Sequence, residues 1–74
     1  MTGDKYLEPG RRARIAVRRF VAPDGSERFK ICQGNAVYDG RVGEKFLQEM
    51  KWTDEASAQS FLDRLAKIRG WKKV

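Results

Sequence analysis

The spacing of apolar residues changes once along the chain, at Trp52, and that change confines the fold to a sheet followed by a helix. Before it, Ile15 and Val17, then Phe29 and Ile31, recur at every second position, the period of half-buried strands. After it, Ala58, Phe61, Leu62, Leu65 and Ile68 recur at i, i+3, i+4, i+7 and i+10, one stripe of an amphipathic helix. A chain of 74 residues has room for a single small core. Residues 1–10 mix Gly, Pro and charge without periodicity and close on the breaker Pro9-Gly10, so they read as a flexible N-terminal tail before one domain spanning 11–74.

Turn chemistry sets the registers. Pro23-Asp24-Gly25 suits a three-residue hairpin loop: proline pre-sets the first position, aspartate bonds the backbone ahead and glycine takes positive φ. It pairs Ala22 with Ser26, hence Val17 with Ile31 and Ile15 with Gln33. Asp39-Gly40 suits a two-residue loop that pairs Tyr38 with Arg41, Val37 with Val42, Ile31 with Gln48 and Phe29 with Met50 in a third strand over about 43–52. The two registers agree in placing Ile15, Val17, Phe29, Ile31, Phe46, Met50 and Trp52 on one face. Arg19 points to that same face and predicts a bulge or a slip near Arg18-Arg19. Gln33-Gly34-Asn35 is either a second irregularity or the end of the strand, with 34–43 as a longer loop.

The helix has its own end signals. Thr53 is the expected N-cap, Asp54 and Glu55 place negative charge in the first turn, and Lys67, Arg69, Lys72 and Lys73 crowd the far end. Gly70 suits the left-handed position after the last turn, with Trp71 packing back near Leu65 or Ala66. The expected fold is α+β: a three-stranded antiparallel β-meander with one C-terminal α-helix packed on one face, in the order β-β-β-α.

With no histidine and one cysteine, Cys32, the chain excludes Ser-His-Asp and Cys-His catalysis, Cys/His zinc sites and an internal disulfide. Gly34, Gly40 and Gly43 lie at hairpin spacing without the Gly-Lys-Ser/Thr of a phosphate loop. No enzyme, metal or small-molecule cofactor is expected. No apolar run has the length of a signal peptide or a membrane span, so a cytoplasmic protein without a membrane partner is expected.

Against 10 Asp and Glu stand 16 Lys and Arg, a formal charge of +6, and a polyanionic partner is the first to consider. The face away from the helix would carry Arg14, Ala16, Arg18 and Phe20, then Arg28, Lys30 and Cys32, then Lys45, Leu47, Glu49 and Lys51. Six cations meet one carboxylate there, a set suited to phosphates and guanine edges. Arg41, beside the Asp39-Gly40 turn, joins the candidate set. Arg11 and Arg12, just ahead of the first strand, read either as solvated tail, the commoner case, or as a short basic arm for a minor groove. The competing reading is a solvated face whose basic residues discourage edge-to-edge pairing. Cys32 lies beside Arg28 and Lys30, cations that lower a thiol pKa, but a small unbridged half-buried residue is the commoner case.

The passage Phe46-Leu47-Gln48-Glu49-Met50-Lys51-Trp52-Thr53-Asp54-Glu55-Ala56, followed by Phe61-Leu62, resembles the strand-to-helix junction of AP2-like and arm-type DNA-binding domains of tyrosine recombinases. In that family a three-stranded sheet enters the major groove and a helix braces its back. The resemblance implies contacts to bases and phosphates from Arg14, Arg18, Arg28, Lys30 and Lys45. Two functions follow as expectations: a double-stranded DNA-binding module of a recombinase, phage or mobile element, or a small phage or bacterial interaction or inhibitor protein that covers an acidic surface of a protein partner.

Overall fold

Period-two patterning between Ile15 and Gln33 produces the two longest strands of the computed structural model, which describes residues 3–74. In chain order the strands are β1 (Tyr6–Leu7), β2 (Ile15–Val21), β3 (Glu27–Gln33), β4 (Ala36–Val37), β5 (Arg41–Val42), β6 (Lys45–Phe46) and β7 (Lys72–Lys73), with the helix α1 over Glu55–Arg69. The architecture is α+β, with every strand pair antiparallel. One sheet has the order β4-β3-β2-β1-β7, and β5-β6 stands apart as a second, two-stranded sheet.

The first hairpin has the expected register. Val17 opposes Ile31, Ile15 opposes Gln33, and Ala22 N–H donates to the Ser26 carbonyl at 2.9 Å. Gly25 takes φ 88° and the Asp24 carboxylate accepts from Ser26 N–H at 3.0 Å. The ladder runs without a bulge through Arg18-Arg19. Arg19 does face the helix side, but beyond the helix, where it stays exposed and pairs diagonally with Glu27 at 2.5 Å.

The three-stranded meander is replaced by a more broken path. A type I′ turn at Asp39-Gly40 needs positive φ at both residues, and neither has it. The chain turns instead at Gly34-Asn35, with φ 62° at Gly34, so that β4 returns against β3 with Cys32 opposite Val37. It turns again at Gly43-Glu44 between β5 and β6. Gly40 serves close approach: a Cβ there would sit 2.3 Å from the Tyr38 ring, which packs over it. In place of a third strand over 43–52, Leu47–Glu49 form one 3-10 turn that buries Leu47 completely, and the sheet receives only a bridge from Trp52 to Phe29. Trp52 stands where Met50 was expected. The shift is two residues, which preserves the side-chain parity, so Met50 and Trp52 still pack against the core. Phe46, expected in the core, is 41% exposed.

The N-terminal segment also departs from expectation. Tyr6–Leu7 joins the sheet between β2 and β7, and Tyr6 is buried with its hydroxyl donating to Asp63 at 2.6 Å. Two strand residues are too few to show a period, which is why the stretch reads as tail. Asp54, not Thr53, caps α1: its carboxylate accepts from Ser57 N–H at 2.8 Å. Gly70 takes the left-handed position at φ 73°, and Trp71 N–H donates to Ala66 at 2.9 Å as the indole enters the core. α1 lies across β2 and β3 and buries Ala58, Leu62, Leu65 and Ala66 against Ile15, Ile31 and Leu47. Ile68, the last residue of the expected stripe, overshoots the sheet and is 80% exposed.

Candidate nucleic-acid interface

Because Ile15, Phe29 and Ile31 turn toward α1, the even-numbered residues of β2 and odd partners' neighbours on β3 turn the other way. Directly opposed across the ladder are Ala16 and Cys32, Arg18 and Lys30, Phe20 and Arg28. Arg14 stands just before β2, where its carbonyl accepts from Gly34 N–H at 3.0 Å. The outer face therefore carries Arg14, Arg18, Arg28 and Lys30, and none of the four forms an ion pair among the described residues.

Three of the four are held without being neutralised. Arg18 Nη1 donates to the Gly34 carbonyl at 2.9 Å, Arg28 Nη1 to the Glu27 carbonyl at 2.7 Å, and Lys30 Nζ to the Gln48 carbonyl at 3.2 Å. Lys30 Nζ also lies 5.3 Å from the centre of the Phe20 ring, a cation–π contact. An arginine has five N–H donors, so one bond to a carbonyl leaves the rest for a phosphate or a guanine edge. Arg18, Phe20, Lys30 and Cys32 line a hollow of about 410 Å³ with no carboxylate in its wall.

Asn35 and Val37 close that hollow from the β4 side, and reading the sequence missed both. The signal was the Gly34-Asn35 pair, a two-residue hairpin turn in its own right. Cys32 is half-buried, and burial pushes its thiol up, with Arg18 and Lys30 pulling the other way and losing. Cys32 is thus the small, unbridged, half-buried residue that the sequence favours, not an activated thiol.

The other candidates lie elsewhere. Lys45 and Lys51 share a separate hollow with Glu44 and Glu49, because the 3-10 turn carries that segment off the sheet. Arg41 stacks on Phe46 at 5.0 Å and its carbonyl accepts from Arg69, which puts it by the end of α1. Leu47, expected on the outer face, is core. Arg11 and Arg12 belong to a loop anchored at both ends between β1 and β2. There Arg11 N–H donates to the Glu8 carbonyl at 3.1 Å, so a free arm is not what the structure presents.

The ribbon is also narrow. β1 meets β2 only at Ile15, and β4 meets β3 only at Cys32 and Gln33. Among the described residues the sheet is two strands wide from Val17 to Glu27 but for the Trp52 bridge. Seven residues per strand give a length of about 23 Å at about 3.3 Å per residue. The major groove of B-DNA, about 12 Å wide, admits a two-stranded ribbon.

Comparison with protein-family models, with curated proteins and with solved structures finds no match to this chain. Among the described residues no helix is long and apolar enough to cross a membrane.

Proposed function

We propose that the chain binds double-stranded DNA, seating the outer face of the β2–β3 ribbon in the major groove. The observation that carries this reading is the alignment of Arg14, Arg18, Arg28 and Lys30, none in an ion pair among the described residues, on one face of a ribbon narrow enough to enter. α1 braces the opposite face, and Phe20 supplies a flat apolar surface beside the cations. The role is one of binding without catalysis, in a cytoplasmic setting, and the resemblance at Phe46–Ala56 favours a module of a recombinase or mobile element. Relative to that resemblance, two strands take the part of three.

Paired charge reversals test it. Arg18→Glu with Arg28→Glu removes half of the four cations without touching a core side chain, and duplex binding is expected to disappear with Tm and far-UV circular dichroism unchanged. Lys45→Glu with Lys51→Glu alters the net charge equally from the separate hollow and is expected to leave most of the affinity. Equal losses in the two variants would reduce the interaction to net charge and overturn the ribbon as its site.

A further inference from the structure

Among the described residues, β2 is paired along one edge only once it has passed Ile15. Gly34 N–H donates to Arg14 and Ala22 N–H donates to Ser26, so the even-numbered residues of β2 exchange backbone hydrogen bonds with β3. The N–H and C=O groups of Val17, Arg19 and Val21 point away from β3. Phe29, opposite Arg19, shows the same alternation from the other side, since Trp52 takes both its N–H, at 2.8 Å, and its C=O, at 2.9 Å.

On the open side β1 covers Ile15 through Tyr6 and then leaves. Asp4, next in register to Val17, gives its carbonyl to Gln59 Nε2 at 3.0 Å and its carboxylate to Lys73 at 3.1 Å. Among the described residues no backbone hydrogen bond reaches Val17, Arg19 or Val21 from that side. A hollow of about 550 Å³ lies where a longer β1 would run, lined by Lys5, Arg12, Arg14, Val17 and Arg18 with one carboxylate, Glu55.

We infer that this edge takes up an extended acidic segment of a partner protein as an added β-strand. Main-chain hydrogen bonds to Val17, Arg19 and Val21 would hold it, and its alternate side chains would fall on the two faces of the sheet. Those on the outer face lie next to Arg18, with Arg12 and Arg14 on the same hollow, and are therefore Asp or Glu. Those on the helix face lie beside Val17, the exposed Val21 and, between them, Arg19, whose charge is already met by Glu27, and are therefore apolar. A second copy of this chain is a poor occupant, because the fullest overlap of two such edges sets Arg19 against Arg19. The inference rests on the strand edge and holds whether or not the outer face binds DNA.

The test is a titration of the isotopically labelled chain with a synthetic peptide of about ten residues alternating Asp and Val, and with a control alternating Lys and Val. The acidic peptide is expected to slow amide exchange at Val17, Arg19 and Val21 by at least about tenfold, and to bind more weakly as salt rises. The control is expected to do neither. Arg19→Pro deletes the central donor of the edge, an N–H with no role in the β2–β3 ladder, and should weaken the acidic peptide by at least about tenfold while the fold persists. If that variant fails to fold, exchange on the unaltered chain decides. Unchanged exchange at the three amides, equal protection by the control, or dimerisation through this edge would overturn the inference.

Discussion

Tyr38 donates its hydroxyl hydrogen to Glu8 at 2.7 Å, tying the segment after β4 to the segment before β2. The second Glu8 oxygen accepts from Gln33 Nε2 at 3.1 Å, and the Tyr38 ring meets Trp71 edge-on with centroids 5.3 Å apart. The Glu8 carboxylate and the Tyr38 ring together thus gather three segments that are distant in sequence.

The Tyr38 bond, with help from Gln33 and Arg11, holds the Glu8 carboxyl below its ordinary value of 4.5 even though burial pushes the other way. A depressed folded value means stability that is present above the unfolded pKa and lost as pH falls through the folded one. Tm is therefore expected to fall more steeply for the wild type than for Glu8→Gln below about pH 5, the variant already lacking that contribution. Parallel acid profiles for the two would contradict the linkage.

Tyr6 and Tyr38 are the only tyrosines, so tyrosinate absorbance reports these two sites alone. Burial, and then the Asp63 and Glu8 carboxylates respectively, push each hydroxyl up to about 12. The folded values lie above the unfolded one, so this stability is complete below about pH 10 and is lost as pH rises toward about 12. At about pH 10 the native chain is expected to show little tyrosinate, while the chain in denaturant is about half ionised. Half-ionisation of the native chain at that pH would rule out both hydrogen bonds.

Leu62 is fully buried and Ile68 is 80% exposed, although both lie on the apolar stripe of α1. Leu62→Ala should cost about 2–5 kcal/mol, a large share of the stability of so small a domain. Ile68→Ala should stay within about 0.5 kcal/mol. Denaturant midpoints separate the two, and similar losses would mean that the helix face is wrongly placed.

How much of this was legible in the sequence depended on length. The seven-residue strands β2 and β3 carry enough alternation, and a strong enough Pro-Asp-Gly turn, to fix Val17 opposite Ile31 and to put Arg18 and Lys30 on the same outer face. The stripe of α1 was legible for the same reason. β1, β4, β5, β6 and β7 are two residues each, below the length at which any period shows, and were decided by tertiary contacts such as the Tyr6 bond to Asp63. Asp39-Gly40 misled because a favourable dipeptide is only a local preference, and packing of the Tyr38 ring over Gly40 overrode it. That one turn moved Lys45, Lys51 and Arg41 off the candidate site.

Thr53 is the N-cap expected from the sequence, but the structure gives the role to Asp54, whose carboxylate accepts from both the Ser57 N–H, at 2.8 Å, and the Ser57 hydroxyl, at 2.9 Å. Asp54→Ala should cost about 0.5–2 kcal/mol and Thr53→Ala close to nothing, as read from thermal or urea unfolding. The opposite order would move the helix start by one residue.

The salt dependence of duplex binding tests the ribbon most directly. Four cations engaging four phosphates give a slope of log affinity against log salt of about −0.9 per contact, hence roughly −3.6 for the wild type. Arg18→Gln with Arg28→Gln should reduce the slope by about 1.8 and weaken binding evenly across duplex sequences wherever the contacts are to phosphate. An anisotropy titration over several salt concentrations that returns these two slopes would support the ribbon as the binding element. No measurable duplex affinity at low salt, or a slope unmoved by the double substitution, would contradict it.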